Sequence, residues 1–193
     1  MVSDNINVSA FSPGAALPEA LAVPALAALT DGRVMSIGGM FTNQSYTNRT
    51  WIFDPASAVW VAAAALPGDP SGTGELAQYG VADRGDGTVV AACGYPHVNN
   101  AYSIADDSWS TIQPPPLPEF TFDCVLVPLG RGRGVMAIGG SQGATMNHPN
   151  GPVDTVAILA PGATTWTAQQ SLPIARQEHA ATTLLDGRVL VCG

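Results

Sequence analysis

The side chains that could do chemistry in this sequence are amides, aromatic rings and a few ionisable groups, set in polar stretches between apolar runs. Amides and rings together can hydrogen-bond sugar hydroxyls or a peptide backbone and stack on flat groups. We predict the following residues as ligand-binding: Tyr46, Arg49, Tyr95, His97, Asn99, Gln142, His148, Arg176 and Glu178. The alternative is that the amides and glycines of these stretches only satisfy turn conformations.

These residues do not indicate a catalytic or metal centre. His97 and His148 fall in corresponding stretches, but the sequence contains no zinc-ligand spacing, no glycine-rich phosphate loop and no nucleophile elbow. His179 begins an expected inner strand, where a packing or capping role is expected. We therefore predict no catalytic residue, no metal and no cofactor, and we favour a non-enzymatic role.

A repeated motif predicts the elements that must position these residues. The sequence DGRVMSIGG at 31–39 recurs as DGTVVAACG at 86–94, as GRGVMAIGG at 132–140 and as DGRVLVCG at 186–193. Each copy combines a turn, a short run of β-branched and apolar residues, and glycine, which is typical of a hairpin turn that leads into a buried strand. The last glycines of the first three copies are 55 and 46 residues apart. Such a spacing is typical of a propeller blade.

An aromatic residue followed by Leu-Pro marks the end of each unit. Trp60 and Trp166 precede such a pair by six residues, Phe11 does the same, and Trp109 precedes it by eight. These markers divide a single domain, 1–193, into a leading outer strand at 1–18, units at 19–67, 68–118 and 119–173, and a half unit at 174–193.

Each full unit is predicted to contain four antiparallel strands. The expected strands are 23–29, 33–38, 51–55 and one at Trp60; 78–83, 88–93, 101–105 and one at Trp109; 122–127, 135–138, 153–159 and one at Trp166; and 179–185 with 188–192 in the half unit. In such a meander, the loops after the second and fourth strands share one face. The predicted ligand-binding residues fall in those loops, which is where function is usually found.

The repeated motifs resemble kelch repeats over nearly the whole chain. The resemblance rests on VMSIGG at 34–39 and VMAIGG at 135–140, each followed by a strand, a tryptophan and Leu-Pro. Cys93 departs from it by replacing the first glycine of the pair in the second unit. The resemblance implies an all-β propeller, with protein-binding roles in many members of the family and enzymatic roles in a few. It also implies structural roles for Gly38, Gly39, Gly94, Gly139, Gly140, Trp60, Trp109 and Trp166.

About three and a half blades do not obviously close a ring, since propellers usually have about four to eight. The leading strand could complete the half unit within a small four-bladed ring. Alternatively, two chains could each supply half a propeller, or the chain could be a fragment of a longer one. We favour the homodimer of half-propellers.

Composition excludes several classes of partner. The formal net charge is −8, which argues against binding to nucleic acid or to an anionic membrane. No apolar run approaches the roughly 18 residues that a membrane-spanning helix needs. The first residues lack the features of a secretory signal, and the three cysteines fall in predicted strands, where we expect buried, reduced thiols. These observations predict a cytoplasmic protein.

The sequence thus predicts a non-enzymatic interaction module. Its long-loop face would bind a protein or peptide partner. The alternative is a carbohydrate-binding or sugar-modifying propeller, which the amides and aromatic rings of the same face favour.

Overall fold

The computed structural model describes residues 14–68, 79–94, 98–118, 121–145 and 148–193. Within these ranges the chain forms 17 β-strands and no helix. The prediction of an all-β protein is therefore confirmed. Since the described part holds no helix, it also holds none that is long and apolar enough to cross a membrane.

The strands form antiparallel sheets that follow one another along the chain. Sheet 1 contains β1 (Ala25–Ala28), β2 (Val34–Met40), β3 (Tyr46–Asp54) and β4 (Val59–Ala63). Sheet 2 contains β5 (Gly80–Asp83), β6 (Thr88–Gly94), β7 (Val98–Ser103) and β8 (Ser108–Thr111). Sheet 3 contains β10 (Val125–Pro128), β11 (Val135–Ile138), β14 (Val156–Leu159) and β15 (Thr167–Ala168). Sheet 4 is the hairpin of β16 (Ala180–Thr183) and β17 (Val189–Cys192).

A small additional sheet was not predicted. It contains β9 (Thr121–Phe122), β12 (Ser141–Thr145) and β13 (His148–Pro152), with β12 in the centre. At Gly139 and Gly140 the chain leaves sheet 3, forms this hairpin, and returns to sheet 3 at β14. The segment was predicted as a loop because it is rich in Gly, Asn and Pro, which favour turns.

The second strands of sheets 1 and 2 continue past the point where they were predicted to end. β2 runs through Gly38 and Gly39 to Met40, with a shift of register between Ile37 and Gly39. Both glycines have positive φ, at 59° and 113°. Glycine adopts this conformation at little cost, so the pair forms a bulge within the strand and the ladder continues.

The continued ladders of sheets 1 and 2 and the additional sheet together correct the placement of five predicted ligand-binding residues. They were expected in loops, but the structure places them in strands: Tyr46 and Arg49 in β3, Asn99 in β7, Gln142 in β12 and His148 in β13.

Apolar side chains fill the space between consecutive sheets. β6 shows why, because Val89 and Ala91 contribute to the core shared with sheet 1, whereas Val90 and Ala92 contribute to the core shared with sheet 3. Successive side chains of a strand point to opposite faces, so a strand between two cores must be apolar throughout. The first strands of the sheets are neighbours in the order β1, β5, β10 and β16.

In sheets 1, 2 and 3, a tryptophan links the sheet to a segment that precedes it in the chain. The indole nitrogen of Trp109 donates to the carbonyl oxygen of Ala64 at 2.7 Å, just after sheet 1. Trp166, immediately before β15, donates to Gln113 at 3.0 Å. Trp60 repeats the contact by donating to Ala15 at 3.1 Å.

Replacing Trp109 with phenylalanine should lower the free energy of unfolding by about 1 kcal/mol, because the substitution removes one hydrogen bond and keeps an aromatic ring. Trp51→Phe is the matched control, since the buried indole nitrogen of Trp51 has no hydrogen-bond partner in the described ranges. Urea denaturation measures the free energy of unfolding of both variants. An equal loss of this free energy in the two variants would contradict the role given to the Trp109 hydrogen bond.

Two of the three cysteines form a disulfide, which corrects the prediction of reduced thiols. Cys93 at the end of β6 is bonded to Cys124 just before β10, with their Cα atoms 5.8 Å apart. Both are buried. Cys192 is free but exposed, so it is not a buried thiol either. The pairing arises because the start of sheet 3 packs against the end of the second strand of sheet 2.

Candidate functional site

In sheets 1, 3 and 4, the residue two positions before the first strand has the same backbone conformation. Val23 precedes β1 with φ at 47°, Asp123 precedes β10 with φ at 57°, and Glu178 precedes β16 with φ at 50°. A positive φ is uncommon outside glycine and is unfavourable for a β-branched residue such as Val23. Its recurrence shows that sheets 1, 3 and 4 begin with the same turn, which we call the entry turn. We use the same name for the corresponding place before β5, where Tyr79 is the described residue.

In two sheets, glycine at the end of the second strand leaves room for the next entry turn. A Cβ atom on Gly38 would lie 2.1 Å from the hydroxyl oxygen of Tyr79, which precedes β5. A Cβ atom on Gly139 would lie 2.9 Å from Cε1 of His179, which precedes β16. A larger residue at either glycine would therefore displace an entry residue.

The disulfide occupies the same position between sheets 2 and 3. Cys93 has φ at 63°, close to the 59° of Gly38 and the 55° of Gly139. Its side chain is bonded to Cys124 of the next entry turn. The departure from the glycine pair therefore has a structural reason, because only a side chain at this position can form the cross-link.

Tyr79, the residue before β5 that faces Gly38, is buried and uncharged. Its hydroxyl donates to the carbonyl oxygen of Ile37 at 3.0 Å, across the junction of sheets 1 and 2. Burial raises the pKa of Tyr79 well above its usual value, because the phenolate would be removed from water.

The entry turns line an open pocket with a volume of about 330 Å³. Its lining residues come from the starts of sheets 2, 3 and 4: Tyr79, Asp123, Cys124, Val125, Glu178 and His179. We call it the entry pocket. Of the nine residues predicted to bind a ligand, Glu178 lines it.

The carboxyl group of Asp123 retains its proton unusually well. Burial raises the pKa of Asp123 to about 6, and the nearby Glu178 carboxylate adds to the effect. Both causes disfavour the charged form, since one removes it from water and the other repels it. The negative charge of the entry pocket therefore increases as the pH rises through about 6.

His179 is buried in the wall of the pocket with only 6% of its surface exposed. In the part of the chain that the structure describes, neither ring nitrogen has a hydrogen-bond partner. Burial lowers the pKa of His179 and the neighbouring Arg176 adds to the effect, so the imidazole is neutral at physiological pH. Buried polar atoms without partners are uncommon and costly. The imidazole is thus available to bind a ligand.

The remaining predicted residues lie elsewhere or outside the described ranges. Arg176 lies beside the pocket and donates to the carbonyl oxygen of Gly193 at 2.7 Å. Arg49 forms an ion pair with Glu19 on sheet 1. Tyr95 and His97 fall outside the described residues. Across the described ranges, no group of three His, Cys, Asp or Glu side chains is placed to hold a metal ion.

Sequence reasoning missed Tyr79, Asp123 and His179 as residues of the site, although a signal was present. Tyr79 and His179 each lie seven residues before the aspartate of the next hairpin turn, Asp86 and Asp186. Cys124 lies eight residues before Gly132. Aligning the repeats on these turns would have placed these three residues within one position of each other.

Asp123 should make the protein less stable as the pH rises from about 4 to about 7. Its pKa is about 6 in the folded protein and about 3.9 in an unfolded chain, so the folded state binds the proton more tightly. The resulting stability is complete below about pH 4 and is lost as the pH rises through about 6.

Urea denaturation across this pH range tests the expectation. The Asp123→Asn variant should gain stability relative to the wild type as the pH rises, because it removes the titrating group. Asp154→Asn removes an exposed carboxylate and should leave the pH dependence unchanged. A constant difference between the wild type and Asp123→Asn would contradict the assignment.

No protein-family model matches this chain, and the search of curated proteins found no significant match.

Proposed function

We propose that this protein is a kelch-type β-propeller module that binds a protein or peptide partner on the face carrying the entry pocket. Three features support the propeller. The four sheets follow one another in chain order, their first strands are neighbours, and apolar cores fill each junction between them. The tryptophan contacts also repeat from one sheet to the next.

The entry pocket is the observation that carries the binding function. Residues from three entry turns converge on it, and its wall contains a buried imidazole that has no hydrogen-bond partner among the described residues. The extensions of β2 and β3 beyond the glycine bulge lie at the same end of the strands as the entry turns, because the strands alternate in direction. Concave pockets with a few convergent polar groups are the usual binding sites.

A selection from a peptide-display library on the full chain tests this function. We expect enriched peptides whose binding is lost when Glu178 is replaced by lysine. The same charge reversal at the exposed Asp154 is the matched control and should leave binding intact. The absence of any enriched peptide, or peptide binding that Glu178→Lys leaves unchanged, would overturn the proposal.

Carbohydrate binding is the second candidate, and a separate pocket on sheet 1 favours it. This pocket has a volume of about 290 Å³ and includes Glu19, Arg49, Thr50 and Trp51. Within the described ranges, Glu19 Oε2, the Thr50 hydroxyl and the Trp51 indole nitrogen are buried without partners. Hydroxyl groups of a sugar could satisfy them. A glycan array should then show selective binding that is lost in Trp51→Ala, whereas a uniformly negative array would remove this candidate.

We also propose that two copies of the chain associate through the end sheets. Sheet 4 has an exposed apolar face that includes Leu190, and Leu185 at its turn is 100% exposed. At the other end, sheet 1 exposes Leu26 and Val61, each at 59%. Among the described strands β17 pairs with β16 alone, and such edges favour association.

Light scattering at micromolar concentration should therefore give about twice the chain mass of 19.8 kDa. Leu190→Lys should shift the mass to that of one chain, because it places a charge on the apolar face. Ala56→Lys, in the exposed turn before β4, serves as the control. A wild-type protein with the mass of a single chain would contradict the association.

A further inference from the structure

Two carboxylates and a neutral imidazole line one pocket, and among the described residues neither carboxylate forms an ion pair. Asp123 and Glu178 lie in successive entry turns and are close enough to repel each other. The ion pairs of the described residues use other acids, namely Asp31, Glu19, Asp86 and Asp186. No lysine or arginine is among the residues that line the pocket. A bound cation would relieve the repulsion.

The number and type of acceptors favour an ammonium group. Ammonium carries three N–H donors that point in different directions, whereas guanidinium presents its donors in one plane. Asp123 and Glu178 supply two carboxylate acceptors, and the neutral His179 ring supplies a third through a nitrogen that has no partner among the described residues. Val125 and Cys124 provide the apolar part of the lining, which suits the methylene stem of a lysine.

We propose that the entry pocket binds the ammonium group of a lysine side chain or of a chain N-terminus on the partner. This inference rests on the proposed function, because it names the group by which a peptide would be recognised. His179 cannot compete for the site as a cation, since burial keeps its imidazole neutral.

The pH dependence of binding follows from the groups around the pocket. The titratable groups that face Asp123 are Tyr79, Glu178 and His179, and Arg176 lies next to His179. Burial keeps Tyr79 neutral and lowers the pKa of His179, whereas the carboxyl group of Asp123, with a pKa of about 6, gains negative charge as the pH rises through that value. Ammonium binding should therefore strengthen as the pH rises from about 5 to about 7.5.

Titration of the full chain with small probes, followed by NMR, tests this chemistry. Nα-acetyl-lysine methylamide carries the side-chain ammonium, and glycine methylamide carries an N-terminal one, so the two arms distinguish the sources. We expect dissociation constants of the order of 1 mM at neutral pH for at least one of them. The Nε-acetylated lysine probe, which is neutral, should bind at least about tenfold more weakly.

Variants assign the binding to the pocket. Asp123→Asn and Glu178→Gln should each weaken binding by about tenfold, and Asp123→Asn should abolish the pH dependence. Asp154→Asn removes the same charge outside the pocket and should change neither. Equal binding of the neutral probe, no saturation up to about 50 mM, or equal affinities in all three variants would overturn the proposal.

The two proposals can fail separately. If library peptides bind through Glu178 but contain no required ammonium group, the module stands and the ammonium inference falls. If the ammonium probes bind in the pocket and no peptide is enriched, the pocket chemistry stands and the peptide-binding module falls.

Discussion

Replacing both Cys93 and Cys124 with alanine should lower the free energy of unfolding by about 2–4 kcal/mol. The bond joins residues separated by 31 positions in sequence and ties sheet 2 to sheet 3. Its loss frees the unfolded chain and leaves two buried positions poorly filled. Urea denaturation of the oxidised wild type, the reduced wild type and the double variant measures the effect.

Cys192→Ala is the control for this experiment. Cys192 is free and exposed, so its removal should change stability by less than about 0.5 kcal/mol. If the reduced wild type and the double variant are as stable as the oxidised protein, the cross-link does not hold the two sheets together.

Comparing glycine with alanine at position 93 separates the stabilisation by the cross-link from the cost of the backbone conformation. Because Cys93 has φ at 63°, a side chain there costs about 1 kcal/mol that glycine does not. With Cys124→Ala in both proteins, Cys93→Gly should therefore be more stable than Cys93→Ala by about that amount.

The disulfide also changes the expected location of the protein. Structural disulfides are rare in the reducing cytosol and common in oxidising compartments. The cytoplasmic prediction relied in part on three reduced cysteines, and two of them are bonded. We therefore propose an oxidising compartment, which mass spectrometry after rapid alkylation of the expressed protein would test.

The repeated motif was sufficient to predict the second strands of the sheets. In β2, β6, β11 and β17 a turn precedes a run of apolar residues. A strand packed between two sheets, such as β6, needs such a run. What the motif could not distinguish is how the chain leaves the glycine pair. Glycine permits both a bulge and an exit. β2 continues through its glycine pair, whereas β11 ends before its own pair and the chain enters β12.

The candidate site depends on contacts between units, which a single sequence does not contain. Glu178 was predicted because it is a charged residue between repeats. His179 was read as a packing residue, and its lack of a hydrogen-bond partner in the described structure becomes visible only when Gly139 and the pocket are placed around it. The pairing of Cys93 with Cys124 likewise follows from the packing of adjacent sheets.

Gly139→Ala should lower the free energy of unfolding by about 2–4 kcal/mol, combining the cost of a left-handed residue with that of overpacking. A Cβ atom there would lie 2.6 Å from the carbonyl oxygen of Arg176 and 2.9 Å from the His179 ring. Arg176 cannot move freely, because its carbonyl also accepts a hydrogen bond from Gly140 at 3.0 Å. The substitution should therefore shift the entry turn and weaken binding in the pocket.

A comparison of Gly139→Ala with Gly132→Ala separates the cost of the steric contact from the cost of the left-handed backbone conformation. Gly132 has φ at 64°, close to the 55° of Gly139, but a Cβ atom there would meet nothing within 4 Å. Its replacement should cost only about 1 kcal/mol, and ammonium binding should be unchanged. Urea denaturation and the lysine-probe titration on both variants give the comparison. If the two alanine variants lose the same free energy of unfolding and both still bind the probe, the entry turn adjusts to the added Cβ atom without cost. The glycine pair would then not shape the pocket.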